Sequence, residues 1–109
     1  MKGTALFPGS FDPFTLGHKF VVDQGLELFD RIVIAIGVNS EKAGLLTPDN
    51  RARLIRDLYR GEPRIEVRIY TELTGQLCRQ LGVKTILRGL RNTVDFEYER
   101  NIMQVNQTL

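Results

Sequence analysis

The sequence predicts an α/β protein, a Rossmann-like open parallel sheet with helices on both faces. Three observations carry this. Strand-like and helix-like apolar patterns alternate along the chain in the order βαβαβαβα, the order of a parallel sheet joined by right-handed crossovers. One strand candidate, "RIVIAIGV" (Arg31 to Val38), is apolar on both faces, as a strand covered on both sides is. A length of 109 residues with no internal repeat or linker makes one domain, 1–109, with one small core.

Each element has its own signal. Thr4 to Phe7 is a short apolar run, expected to end at Pro8-Gly9. Val21, Val22, Gly25, Leu28 and Phe29 follow at i, i+1, i+4, i+7 and i+8, the stripe of a helix. After the Arg31–Val38 strand, "TPDN" at Thr47 to Asn50 reads as an N-cap, a Pro at the first helical position and an acid in the first turn. Leu54, Ile55, Leu58 and Tyr59 are the expected apolar stripe of that helix. "RIEVRIY" (Arg64 to Tyr70) alternates with period two, a third strand. Leu73, Leu77 and Leu81 mark a third helix, with Gly82 as its stop. "KTILRG" (Lys84 to Gly89) is the fourth strand. Val94, Tyr98, Ile102, Val105 and Leu109 give a longer last helix, with Phe96 and Met103 forming a second apolar patch.

Composition excludes several function classes. Fifteen basic against 13 acidic residues leave a net charge of +2, too balanced to imply a nucleic-acid or membrane surface. The lone Cys78 allows no internal disulfide and no cysteine-rich metal site, and fits a reducing compartment. Met1-Lys2 leads straight into a strand-like run. We therefore expect no signal peptide, no membrane span and a cytoplasmic protein.

In open α/β sheets ligands bind outside the carboxyl ends of the strands. Chemistry is therefore expected in 9–18, 39–47, 71–75 and 88–95. Neither G-x-G-x-x-G nor G-x-x-x-x-G-K-[ST] stands after the first strand, which argues against dinucleotide hydride transfer and P-loop hydrolysis. The chain instead carries "FPGSFDPFTLGH" (Phe7 to His18) there, holding the only histidine. Thr15 is a candidate N-cap, which sets His18 in the first helical turn. There the free N–H groups and the positive helix end favour an anion. Gly17 lets a planar group lie close to the helix. Ser10 suits a phosphate cradle or ordinary turn chemistry, and Asp12 is expected to hold the turn rather than bind metal. Arg88 and Arg91 flank Gly89-Leu90. An arginine ending a buried strand needs a partner or an open crevice, and its planar fork suits a phosphate. Lys42 in "NSEKAG" reads, on residues alone, as a surface charge, and Glu99 on the last helix reads equally as a surface charge or a site group. Asn92 and Asp95 suggest local capping. Arg51, Arg53, Arg56 and Arg60 read as the solvated side of their helix.

"GSFDPFTLGH" resembles the signature of the nucleotidyltransferases that share a T/H-x-G-H motif with class I aminoacyl-tRNA synthetases. "FPGSFDPFTLGH", "LRGLRNTVDFEYE" (Leu87 to Glu99) and Lys42 together resemble the phosphopantetheine adenylyltransferase family. The resemblance implies transfer of the adenylyl group of ATP to 4'-phosphopantetheine, giving dephospho-coenzyme A and pyrophosphate without an enzyme nucleophile. It implies catalytic roles for His18, Lys42 and Arg91, with His18 stabilising the transferring phosphate. Ser10, Phe11 (through its backbone), His18, Gly89, Leu90, Arg91 and Glu99 would meet ATP. Ser10, Lys42, Thr74 and Arg88 would meet phosphopantetheine, Thr74 mainly through backbone and Arg88 at the phosphate. Mg²⁺ is expected to arrive with ATP, because no carboxylate cluster stands among the loops. A homo-oligomer, commonly a hexamer, is implied, and the second patch on the last helix suits a subunit contact.

Two departures qualify the match. Leu16 stands where many relatives have Asn. The chain also stops at Leu109, whereas the family continues for roughly a third of its length again, supplying a fifth strand and a Ser-rich segment for the ATP phosphates. The alternatives are a nucleotidyltransferase for another acceptor, such as nicotinate mononucleotide, or a non-catalytic nucleotide-binding module. A class I synthetase is not expected, because 109 residues leave no room for a tRNA-binding domain and carry no Lys-Met-Ser-Lys-Ser-like motif. Ser10, His18, Lys42, Arg88 and Arg91 are expected to converge at the carboxyl end of the sheet.

Overall fold

The computed structural model describes residues 3–38 and 46–88. Lys42, Gly89, Leu90, Arg91, Glu99 and the expected last helix lie outside the described residues. Within them the elements run β1 (Thr4–Gly9), α1 (Leu16–Leu28), β2 (Arg31–Gly37), α2 (Pro48–Leu58), β3 (Ile65–Tyr70), α3 (Thr74–Leu81) and β4 (Thr85–Ile86). The strands form one parallel sheet in the order β3-β2-β1-β4.

That order explains where the helices lie. The steps β1→β2→β3 move one way across the sheet, and their helices share a face. There Ala5, Phe7, Ile32, Ile34 and Ile36 pack with Val22 of α1 and Ile55 of α2. The step β3→β4 returns past β1, so a crossover of the same hand sets α3 on the other face. There Leu6, Val33, Ala35 and Ile86 pack with Leu77 and Cys78. β2 is buried on both sides from Ile32 to Ile36, which is why its sequence is apolar throughout. Among the described residues β3 is an edge strand. Its Ile65, Val67 and Ile69 join the α1–α2 core, while Glu66 on the alternate side pairs with Arg31 at 2.7 Å and Arg68 at 2.9 Å. Chiefly through the Arg31 hydrogen bond, the Glu66 carboxyl is held below its ordinary value.

Several boundaries differ from expectation. β1 runs through Pro8 and Gly9, which pair in register with Ala35 and Ile36. Proline is tolerated because the Leu6 carbonyl, two residues earlier, faces β4 and accepts from Leu87 N–H at 2.8 Å. The N–H that Pro8 lacks would face the same side, beyond the end of two-residue β4. β4 is correspondingly shorter than "KTILRG". In α2 the buried side chains are Ala52 and Ile55, whereas Leu54 and Leu58 are about half exposed. They border a cavity of about 190 Å³ that Phe11, Phe14, Leu46 and Arg51 also line. Leu73 caps α3 from outside and is exposed. Gly82 ends that helix as expected, with φ 70° in the left-handed region. No helix among the described residues is long and apolar enough to cross a membrane.

Candidate active site

The strand order reverses between β1 and β4, the place outside whose carboxyl ends open α/β sheets bind ligands. The segment leaving β1 is the "GSFDPFTLGH" turn. Its first constraint is steric. A Cβ on Gly9 would sit 2.9 Å from Phe11 Cζ, so only glycine lets the Phe11 ring fold back over the strand end. Phe11 takes φ 51°, a left-handed conformation that costs a non-glycine residue about 1–2 kcal/mol. Burial of its ring opposes that cost. Phe11 is 3% exposed and meets Phe7 edge-on, with centroids 5.1 Å apart.

The second constraint is polar. Asp12 Oδ1 accepts the Leu46 N–H at 2.9 Å, which bears out its expected role of holding the turn. Arg51 completes the arrangement, and here the structure corrects the sequence reading. Its Nε–H donates to the Leu46 carbonyl at 2.9 Å and its Nη1–H to the Ser10 carbonyl at 3.2 Å. Its Nη2 lies 3.6 Å from Asp12 Oδ2, and its side chain is only 10% exposed. Arg51 is thus not on the solvated side of α2. The overlooked signal was its spacing of four from buried Ile55. Arg53 and Arg60 are exposed and bond along their own segment, to Asn50 and Asp57. Exposed Arg56 reaches the Val67 carbonyl at 3.0 Å.

Helix α1 opens where the turn closes. Thr15 is its N-cap, with Oγ1 accepting from His18 N–H at 3.4 Å. His18, at N3, reaches back so that its Nδ1 accepts the Thr15 N–H at 2.8 Å and lies 3.1 Å from Thr15 Oγ1. This is a capping box in which an imidazole takes the place usual for Glu or Gln. A ring nitrogen accepting from a backbone N–H carries no proton, so the neutral ring bears its proton on Nε2. The rings of Phe7, Phe11 and Phe14 stand 6.1, 5.0 and 5.3 Å from the imidazole. Burial lowers the His18 pKa from its ordinary 6.5. The site therefore holds a neutral, oriented donor at the positive end of a helix. At Gly17 a Cβ would meet no described residue nearer than Thr15 Oγ1 at 3.6 Å, so among the described residues the approach to the helix is open.

Arg88 lies two residues beyond β4. Carrying the register Ala5↔Thr85 and Leu6↔Ile86 forward sets it level with Pro8, beside the turn. Burial pulls the Arg88 guanidinium below its ordinary value, with Tyr70 acting in the opposite sense. A cation whose charge is costly in place gains most from an anionic ligand. Thr74 opens α3, and its Oγ1 is 2.8 Å from Tyr70 Oη. The Tyr70 ring lies 3.5 Å from where a Gly37 Cβ would stand, so it lies over the end of β2. Ser10, Phe11, His18 and Arg88 are thus gathered around the ends of neighbouring strands β1 and β4. Thr74 belongs to the same end of the sheet, at β3.

A family model described as cytidylyltransferase-like matches residues 6–108. A phosphopantetheine adenylyltransferase of Flavobacterium psychrophilum is 49% identical over 96% of this chain and 70% of its own length. One of Leuconostoc citreum is 45% identical over 96% of this chain and 66% of its own. A solved nicotinic acid mononucleotide adenylyltransferase of Plasmodium falciparum, complexed with NaAD, superimposes with a TM-score of 0.56 at 18% identity. That superposition covers 91% of this chain and 58% of the other; at that identity the likeness is one of fold. With identities near one half over 96% of its length, the chain belongs to the phosphopantetheine adenylyltransferase family of cytidylyltransferase-like proteins.

Proposed function

We propose that this chain transfers the adenylyl group of ATP to 4'-phosphopantetheine, giving dephospho-coenzyme A and pyrophosphate. The observation that carries this reading is the neutral His18, oriented by Thr15 and with no partner for its Nε2 proton among the described residues, at the start of α1. A phosphate oxygen of the acceptor attacks the α-phosphorus of ATP in line. The new P–O bond forms as the bond to the pyrophosphate leaving group breaks. No enzyme nucleophile is required, and Cys78 is buried on the far face of the sheet. Catalysis of this kind is positioning and charge stabilisation.

In this reading His18 Nε2–H donates to an α-phosphate oxygen, and its bond strengthens as charge builds there. Ser10 and the Phe11 N–H hold phosphate at the turn. Arg88 and Lys42 hold the acceptor's phosphate, Thr74 borders its pantetheine arm, and Gly89, Leu90, Arg91 and Glu99 complete the ATP side. Mg²⁺ comes in on the ATP phosphates, which supply its oxygens along with water. Asp12, the carboxylate of the turn, is already engaged with Leu46 and Arg51, and no cluster of three His, Cys, Asp or Glu stands among the described residues. The reading includes a cytoplasmic homo-oligomer, hexameric by family resemblance. Exposed Leu16, Phe20 and Leu73 are apolar surface that subunit contacts would cover.

The test is pyrophosphate release from Mg·ATP with 4'-phosphopantetheine or with nicotinate mononucleotide as acceptor. Release with the first and not the second is expected. Release only with the second reassigns the acceptor, and release with neither removes the catalytic reading.

A further inference from the structure

We infer that Arg51 is a positioning residue for nucleotide binding, acting through the peptide that joins Ser10 to Phe11. This rests on the proposed reading of the turn as the ATP phosphate site. The guanidinium grips three groups from two segments: the Ser10 carbonyl at 3.2 Å, the Leu46 carbonyl at 2.9 Å, and Asp12 Oδ2 at 3.6 Å. Asp12 in turn accepts from Leu46 N–H. The contacts close a ring through Leu46, Asp12 and Arg51, with the Ser10 carbonyl attached at the guanidinium.

The consequence comes from peptide geometry. A trans peptide is planar, and its C=O and N–H point in opposite directions. Fixing the Ser10 carbonyl toward α2 therefore aims the Phe11 N–H away from α2. Phe11 also sits at φ 51°, a conformation that relaxes unless its neighbours hold it. Its buried ring holds one side of the residue, and Arg51 holds the peptide that precedes it. Lysine cannot replace this. Its single ammonium group lacks the planar fork that spans two carbonyls and a carboxylate together.

The experiment compares the parent chain with Arg51→Lys, each labelled with ¹⁵N-phenylalanine. The six phenylalanines give few amide signals, and Phe11→Tyr identifies the Phe11 signal. In Arg51→Lys that signal should move before any nucleotide is added and respond less to Mg·ATP. The kcat/KM for ATP should fall ~10–100-fold, with a smaller rise in the KM for 4'-phosphopantetheine, which Ser10 also meets. A Phe11 amide and an ATP KM both unaltered in folded Arg51→Lys overturn the inference. So do equal losses for both substrates that track a falling melting temperature. A parent chain that neither turns over nor responds to ATP overturns the reading of the site instead, while the nucleotide-free Phe11 signal still decides the role of Arg51. If Arg51→Lys does not fold, Asp12→Asn serves. It keeps an acceptor for Leu46 N–H, removes the charge facing Arg51, and should move the Phe11 signal in the same direction by less. No movement there overturns the inference as well.

Discussion

Replacing Gly17 with alanine should separate stability from function. Gly17 is the second residue of α1, and its φ is not in the left-handed range. The nearest atom to an added Cβ is Thr15 Oγ1 at 3.6 Å, an ordinary contact. The methyl therefore costs the folded chain nothing sterically. Alanine also loses less conformational freedom on folding, a gain of about 0.4–1 kcal/mol at a compatible site. For a chain of this size that raises the melting temperature by roughly 2–5 °C. The same methyl fills the open space beside His18 where the nucleotide is proposed to lie. Displacing a bound reactant by about 1 Å can cost ~100-fold in rate, so the KM for ATP should rise and turnover should fall. Thermal melting and pyrophosphate release on the same samples read both effects. A melting temperature lowered by several degrees refutes the steric argument. Unchanged ATP kinetics refute the close approach of nucleotide to α1.

Gly25→Ala should do the reverse, because a Cβ there would sit 2.7 Å from Leu87 Cδ1 and 3.0 Å from Ile32 Cδ1. Both side chains are fully enclosed, so an overpacking cost of ~1–3 kcal/mol outweighs a helix-propensity gain of about 1 kcal/mol. Urea unfolding should show a lowered midpoint, and a variant as stable as the parent means Leu87 has room to swing. The lowered pKa of His18 gives a pH signature. Below the ordinary 6.5 the unfolded chain takes up a proton that the folded chain resists. Stability from this group is therefore complete above pH ~6.5 and is lost as pH falls through the folded value. Melting curves of the parent should decline more steeply below pH ~6.5 than those of His18→Gln; parallel curves contradict it.

The fold was legible because its signals are local and periodic. The two-sided apolar pattern of Ile32 to Ile36 and the Thr47-Pro48 helix start each survive in the structure unchanged. Thr15 and His18 were also readable, since an N-cap and its N3 partner are fixed by spacing. That His18 would serve as the reciprocal partner in the capping box was not, because the usual residue there is Glu or Gln. Arg51 was missed because four arginines on one helix look like a solvated face. Its partners, Ser10 and Asp12, lie about 40 residues away in sequence. The half-exposure of Leu54 and Leu58 was hidden for a related reason. Periodicity says which residues share a face, and only the assembled turn at Phe11 and Phe14 says how far that face is covered.

The central claim is that an oriented neutral imidazole at the end of β1 stabilises the transferring phosphate. Its most direct test is dephospho-coenzyme A formation from Mg·ATP and 4'-phosphopantetheine by the parent and by His18→Ala, with ATP affinity measured calorimetrically on both. The account predicts product from the parent, a turnover ~10²–10³-fold lower in His18→Ala, and an ATP affinity little changed. Equal turnover by the two proteins, or a loss in ATP affinity as large as the loss in rate, contradicts it.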